Sequence, residues 1–196
     1  FQLHDFVRKL PGGRFDISNG LLETAARLID DAKRFEKLQP VLDELAAKTG
    51  FSCKLSVRKE NEQLTLLRAE SPSAFSVSGK IGTRFPLIEG SVGAALLCDE
   101  PNGEIERMRS ICKDDIDERK NASLLNGRIE SLRVKGYALN DRPNRWNIDA
   151  MSVPVRDASK RVVAAVTVLG FKDEFTNLSS LAKELSSAAR EMSKKI

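Results

Sequence analysis

Histidine and cysteine are scarce in this chain of 196 residues, which carries one histidine, His4, and three cysteines, Cys53, Cys98 and Cys112. No Cys-x-x-Cys pair occurs, and structural zinc sites recruit several His or Cys ligands, so no metal site is expected. An odd count without close spacing reads as reduced thiols rather than a disulfide frame, which points to the cytoplasm. With His4 in an N-terminal arm, no Ser-His or Cys-His pair has a credible base, so no catalytic residue and no enzyme activity are expected. Long apolar runs are missing as well. Ala94–Cys98 and Val162–Val166 are far too short to span a bilayer. The opening Phe1-Gln2-Leu3-His4-Asp5 has no charged-then-apolar leader and no initiator Met, so a cytoplasmic protein starting upstream of Phe1 is expected. There is no P-loop and no Gly-x-Gly-x-x-Gly, and no cofactor is expected. The carboxylates Asp114, Asp115, Asp117 and Glu118 lack the rest of a calcium loop and read as the polar face of a helix.

Charge of one sign is also in short supply. Lys and Arg number 32 against 28 Asp and Glu, a net charge of +4. The two signs alternate, as in Asp30-Asp31-Ala32-Lys33-Arg34-Phe35-Glu36-Lys37, which is the pattern of solvated helix faces. Nucleic-acid binding calls for a concentrated basic stripe, and no helix-turn-helix, zinc-finger or RNA-motif pattern is visible. This chain is not expected to touch DNA directly.

What is present is a folded domain's worth of patterned sequence. A short amphipathic piece, Phe1 to Leu10, is broken by Pro11-Gly12-Gly13. Helical spacing runs from Leu21 to Lys48, with Pro40 opening a second helix and Gly50 closing it. Phe51, Cys53, Leu55 and Val57 then alternate with Ser52, Lys54, Ser56 and Arg58, and a turn at 59–63 leads into Leu64–Ala69, so a hairpin is expected. Short extended pieces follow at Phe75–Val77 and Lys80–Pro86. Gly90-Ser91-Val92-Gly93 opens an apolar helix, and residues 101–136 read as two polar helices. Tyr137–Leu139 is extended. Two apolar strands, Ile148–Val155 and Val162–Leu169, flank a turn at Asp157–Lys160. The chain closes on an amphipathic helix carrying Leu178, Leu181, Leu185, Ala188 and Met192. The order predicts an α+β fold with a mainly antiparallel sheet flanked by helices.

Two places could form a pocket. The last two strands each present one uniformly apolar face, while the opposite face mixes small and hydroxyl residues: Ala150 and Ser152, Ala165 and Thr167. Small side chains leave room and isolated hydroxyls direct a few hydrogen bonds, as ligand cavities require, although strand cores tolerate the same residues. The Gly90–Gly93 turn is the second place. Unpaired N–H groups at a helix N-terminus favour a carboxylate, and glycine admits close approach. Gly-x-x-Gly is equally compatible with a plain strand-to-helix turn.

In order and spacing, several blocks resemble the C-terminal effector-binding domain of IclR-type bacterial transcriptional regulators, over roughly Leu21 to Met192. They are Leu38–Gly50, ending Leu-Ala-Ala-Lys-Thr-Gly; Ile81–Leu87 with Gly93–Leu97; Ile129–Ala138, containing Lys-Gly-Tyr-Ala; and Ala150–Asp157 with Val163–Gly170. The resemblance implies a GAF-like fold for residues 21–196. It makes residues 1–20 a linker arm from an N-terminal winged helix-turn-helix that this chain lacks. It also implies a small-molecule effector, self-association as dimer or tetramer, DNA contact only through the missing domain, and no membrane partner. Carried over, the ligand-binding residues are Phe85, Ser91, Val92, Asn140, Ile148, Ala150, Thr167 and Leu169, flanked by Phe75 and Val77. Ala94 replaces the family's usual Lys, and Asn140 stands where oxoacid-binding members tend to have Asp. The largely apolar lining, with Trp146 in the loop after Asn140, leans toward an aromatic or otherwise bulky metabolite, with organic acids among the candidates. The competing functions are a stand-alone GAF-like enzyme, which needs a reactive residue such as a thiol in the pocket, and a ligand-free dimerisation module, which predicts a filled core.

Overall fold

The computed structural model describes residues 6–21, 33–141, 144 and 147–196. His4, Trp146 and most of the helix expected from Leu21 onward lie outside the described residues. The chain divides into two compact units, Phe1–Lys37 and Leu38–Ile196. In the first, β1 (Val7–Lys9) and β2 (Phe15–Ile17) pair antiparallel around a tight turn at Pro11–Gly13. Gly12 and Gly13 take positive φ there, which side-chain-bearing residues resist.

The second unit is built on six strands: β3 (Ser52–Lys59), β4 (Glu62–Ala69), β5 (Arg84–Pro86), β6 (Ala138–Asn140), β7 (Ile148–Arg156) and β8 (Val162–Phe171). They lie in the order β5-β4-β3-β8-β7-β6, with every neighbouring pair antiparallel. The two long hairpins thus meet at the centre through β3 and β8. The expected extended piece at Phe75–Val77 is not a strand. After Ala69 the chain leaves the sheet through Ser71-Pro72-Ser73, and it returns only to pair Arg84–Pro86 with the first residues of β4.

Helix α1 (Gln39–Thr49) starts with Pro40 in its first turn, where a missing N–H is harmless, and stops at Gly50 in the left-handed region. Together with α6 (Leu178–Lys195) it covers one face of the sheet. That face is the apolar one: Met151, Val153 and Val155 of β7 and Ala164, Val166 and Val168 of β8 are all buried with Leu42 and Leu185. Register explains why the other face differs. Ala150 sits opposite Leu169, Ser152 opposite Thr167, and Lys54 of β3 opposite Thr167 on its other side. Small and polar residues therefore fall in rows across the opposite face.

Over half of that face lies α2 (Gly90–Leu97), backed by α3 (Asn102–Ile111), the short α4 (Asp117–Lys120) and α5 (Ala122–Lys135). Leu96, Leu97, Ile105, Met108, Leu125 and Ile129 form the core between them. Gly93 lets the segment leading into α2 fold tightly against the helix, since a Cβ at this position would lie 2.2 Å from the Leu87 carbonyl oxygen. The expected pair of helices in 101–136 is thus three, because Cys112 has extended geometry and ends the first. The acidic cluster is not a solvated face throughout. Glu118 is only 6% exposed.

Candidate ligand-binding site

Beside the N-terminus of α2 a cavity of about 330 Å³ lies on this face of the sheet, with residues 77–80 among its walls. Val77, Phe85, Ser91, Val92, Asn140, Ile148, Ala150 and Leu169, all picked out from the sequence, line it. The structure does not bring the other two candidates to it. Phe75 is 86% exposed and borders a separate small recess. Thr167 is fully buried beneath α2, where its hydroxyl meets Ser152 Oγ at 2.9 Å, and Ser152 Oγ in turn lies 2.9 Å from Ser91 Oγ. This run of three hydroxyls ties α2 to β7 and β8. The small polar face is thus divided: Ala150 opens to the cavity, and Ser152 and Thr167 serve the helix contact.

The helix-opening turn is already engaged. Gly90 N donates to Glu118 Oε1 at 3.0 Å, and Arg128 Nη1 donates to the same oxygen at 2.5 Å. The second guanidinium nitrogen, Nη2, donates to Asn140 Oδ1 at 2.8 Å. The carboxylate that the N-terminus of α2 attracts is one of the protein's own. Arg128 thus fixes the amide oxygen of Asn140, a residue that lines the cavity. Only the tertiary structure reveals this network, because Glu118, Arg128 and Asn140 are far apart in any local pattern.

Sequence reasoning also missed the floor of the cavity. Lys54 and Ser56 lie on the polar face of the β3–β4 hairpin, which the alternation alone would leave to solvent. Here that face turns inward, and Lys54, Gln63 and Thr65 are all buried, each lining the cavity. Gln63 Nε2 donates to the carbonyls of Pro86 and Glu89, both at 2.9 Å, and so anchors the approach to α2. Lys54 Nζ stands 5.2 Å from the centre of the Phe85 ring. Burial pushes its ammonium down to about 8, a shift that the charge of Glu89 opposes.

That burial sets a stability effect with a definite sign. Below about pH 8 the folded state holds a desolvated cation that the unfolded chain solvates freely, and the penalty fades as pH rises toward the ordinary value of 10.5. Lys54→Met is therefore expected to be more stable than the parent at pH 7, by an amount on the order of 3 kcal/mol. The gap should narrow by pH 10. Urea unfolding of both proteins at the two pH values checks this, and a gap that stays constant with pH would contradict it.

None of the three cysteines lines the cavity. Burial raises the Cys53 thiol to about 12 and the Cys98 thiol to about 11, so neither supplies a thiolate near neutrality. Among the described residues, no group of three or more His, Cys, Asp or Glu side chains could hold a metal ion, and no helix is long and apolar enough to cross a membrane.

Comparison with known proteins agrees with this architecture. The family described as bacterial transcriptional regulator IclR C-terminal matches residues 26–195. The HTH-type transcriptional regulator XynR of Escherichia coli is 23% identical over 172 residues, covering 85% of this chain and 68% of that protein. Curated relatives are longer, and the chain spans between 58% and 68% of the length of those it matches. Among solved structures, the IclR of Thermotoga maritima superposes with a TM-score of 0.70 at 20% identity, over 99% of this chain and 79% of that one. The C-terminal domain of the Escherichia coli regulator KdgR gives 0.70 at 19% identity, over 83% of this chain and 97% of that domain. The α+β sheet flanked by helices is thus the GAF-like fold expected, and the relatives are regulators rather than enzymes. The chain belongs to the IclR family of bacterial transcriptional regulators and corresponds to their C-terminal effector domain.

Proposed function

We propose that this domain senses a small organic acid in the cavity beside α2 and passes the occupancy on to operator binding by a longer, self-associating protein. The cavity itself is the observation that carries the reading. It combines apolar walls from Val77, Ile148, Ala150 and Leu169 with a few convergent polar groups, Asn140, Ser91 and Lys54. A dimerisation module without a ligand is expected to fill this space with side chains, and a thiol-based enzyme to place a cysteine in it, so an open cavity without a lining cysteine supports the sensor reading. The names of the curated relatives include the description HTH-type, which supports a DNA-reading half outside these 196 residues. In this reading residues 1–20 form the arm leading from that half, residues 21–196 form the sensor, and dimers or tetramers act on DNA in the cytoplasm.

A thermal-shift screen of small carboxylic acids tests the reading, because a bound ligand raises the melting temperature with its occupancy. An acid found this way is expected to change the operator affinity of the full-length regulator. Residues 1–196 alone are expected to show no promoter-specific retardation at physiological salt. An acid that stabilises the domain but leaves operator affinity of the full-length protein unaltered would count against a sensory role.

A further inference from the structure

We propose that Lys54 holds the anionic end of the effector, so that the acid lies with its carboxylate against β3 and its apolar body toward β7 and β8. This rests on the cavity being the effector site. Lys54 is 7% exposed and sits on the cavity floor. Its stem is closely packed, since a Cβ on Gly79 would come within 3.1 Å of Lys54 Cδ. The ammonium faces the Phe85 ring and makes no hydrogen bond or ion pair to the described residues. A cation kept from water in this way is stabilised chiefly by an anion that enters with it.

The opposite end of the cavity argues the same orientation. There the first amide of α2 already binds the Glu118 carboxylate. A ligand carboxylate placed at that end would compete with Glu118 for the helix N-terminus. Turned toward β3, it meets Lys54 and, on β4, the buried Thr65. Glu89 is the charged group that acts on Lys54, and Lys80, from the loop before β5, also lines the cavity. Lys54 and Lys80 against Glu89 leave one net positive charge among the described lining residues, so the ligand class is a monocarboxylate with an apolar body rather than a phosphate dianion. Ile148, Ala150 and Leu169 receive that body.

Calorimetric titration of the 196-residue chain with hexanoate and 3-phenylpropanoate, each beside its neutral amide, tests the assignment. The parent is expected to prefer carboxylate over amide roughly ten- to hundredfold, the range for a hydrogen bond to a charged group. Lys54→Met should bind acid and amide alike, and Lys54→Arg should restore part of the preference. Circular dichroism on both variants confirms that they fold. A carboxylate preference that survives in Lys54→Met, or its absence from the parent, overturns the role of Lys54 while leaving the cavity as the site. If no acid or amide binds the parent at tens of millimolar, or if Ala150→Phe leaves their binding unchanged, the cavity reading falls together with this one.

Discussion

Ala150→Phe is expected to abolish effector binding while the domain still folds. Ala150 lies in the middle of the cavity face, opposite Leu169 on β8 and Asn140 on β6. Its methyl group borders the open space, so a phenyl ring would occupy the volume that a ligand body needs. Overpacking a filled core costs about 1–3 kcal/mol, but here the ring enters existing space, and the helix-packed side of β7 (Met151, Val153 and Val155) is untouched. The melting temperature without ligand should therefore stay close to that of the parent, while the ligand-induced rise disappears. Parent-like affinity in this variant would place the effector elsewhere, even though the family assignment stands.

Arg128→Met is expected to be the most destabilising single change at the site. The side chains of Arg128 and Glu118 are 11% and 8% exposed, so their pairing is shielded from solvent. Removing the guanidinium leaves a buried carboxylate with the Gly90 amide as its remaining described partner and frees the Asn140 oxygen. Breaking one side of such a pair typically costs about 3–5 kcal/mol, because an uncompensated charge stays behind. The double variant Arg128→Met/Glu118→Gln should recover a substantial part of that loss, since no buried charge then remains. Chemical denaturation of the parent, both single variants and the double variant measures the coupling. A strictly additive cycle would mean that the pair contributes nothing beyond its separate side chains. Ligand affinity should fall in the single variant as well, because Asn140 loses the contact that orients it.

How much of this was legible beforehand follows the range of each interaction. The two long hairpins, Pro40 at the start of α1, Gly50 and Gly136 as helix stops, and the apolar face of β7 and β8 all rest on local backbone preferences or on a period of two. Eight of the ten candidates carried over from the family resemblance line one cavity, and for those on β7, β8 and the start of α2 strand alternation and the helix start constrain their directions. Thr167 fails to reach it for a reason no pattern contains. It shares a face with Leu169, but α2 covers one and not the other. Phe75, carried over from the resemblance as a flanking residue, lies in a segment that forms no strand and is 86% exposed.

The sequence by itself determined the element order, the apolar face of the sheet and the family, because periodicity, helix-end chemistry and the spacing of several short blocks are all written along the chain. Only the tertiary structure decided what the polar faces are for. Alternation shows that Lys54, Ser56 and Thr65 point away from the greasy side of their hairpin, and it is silent on whether water or a helix waits there. Burial of that second face depends on α2 and on the loop at residues 77–80, which pack onto it from other parts of the chain. The same packing sets the Glu118–Arg128–Asn140 network against the helix N-terminus and leaves the Lys54 ammonium at the bottom of a cavity. These are long-range Coulombic and packing effects, set by distances in space that residue spacing does not encode.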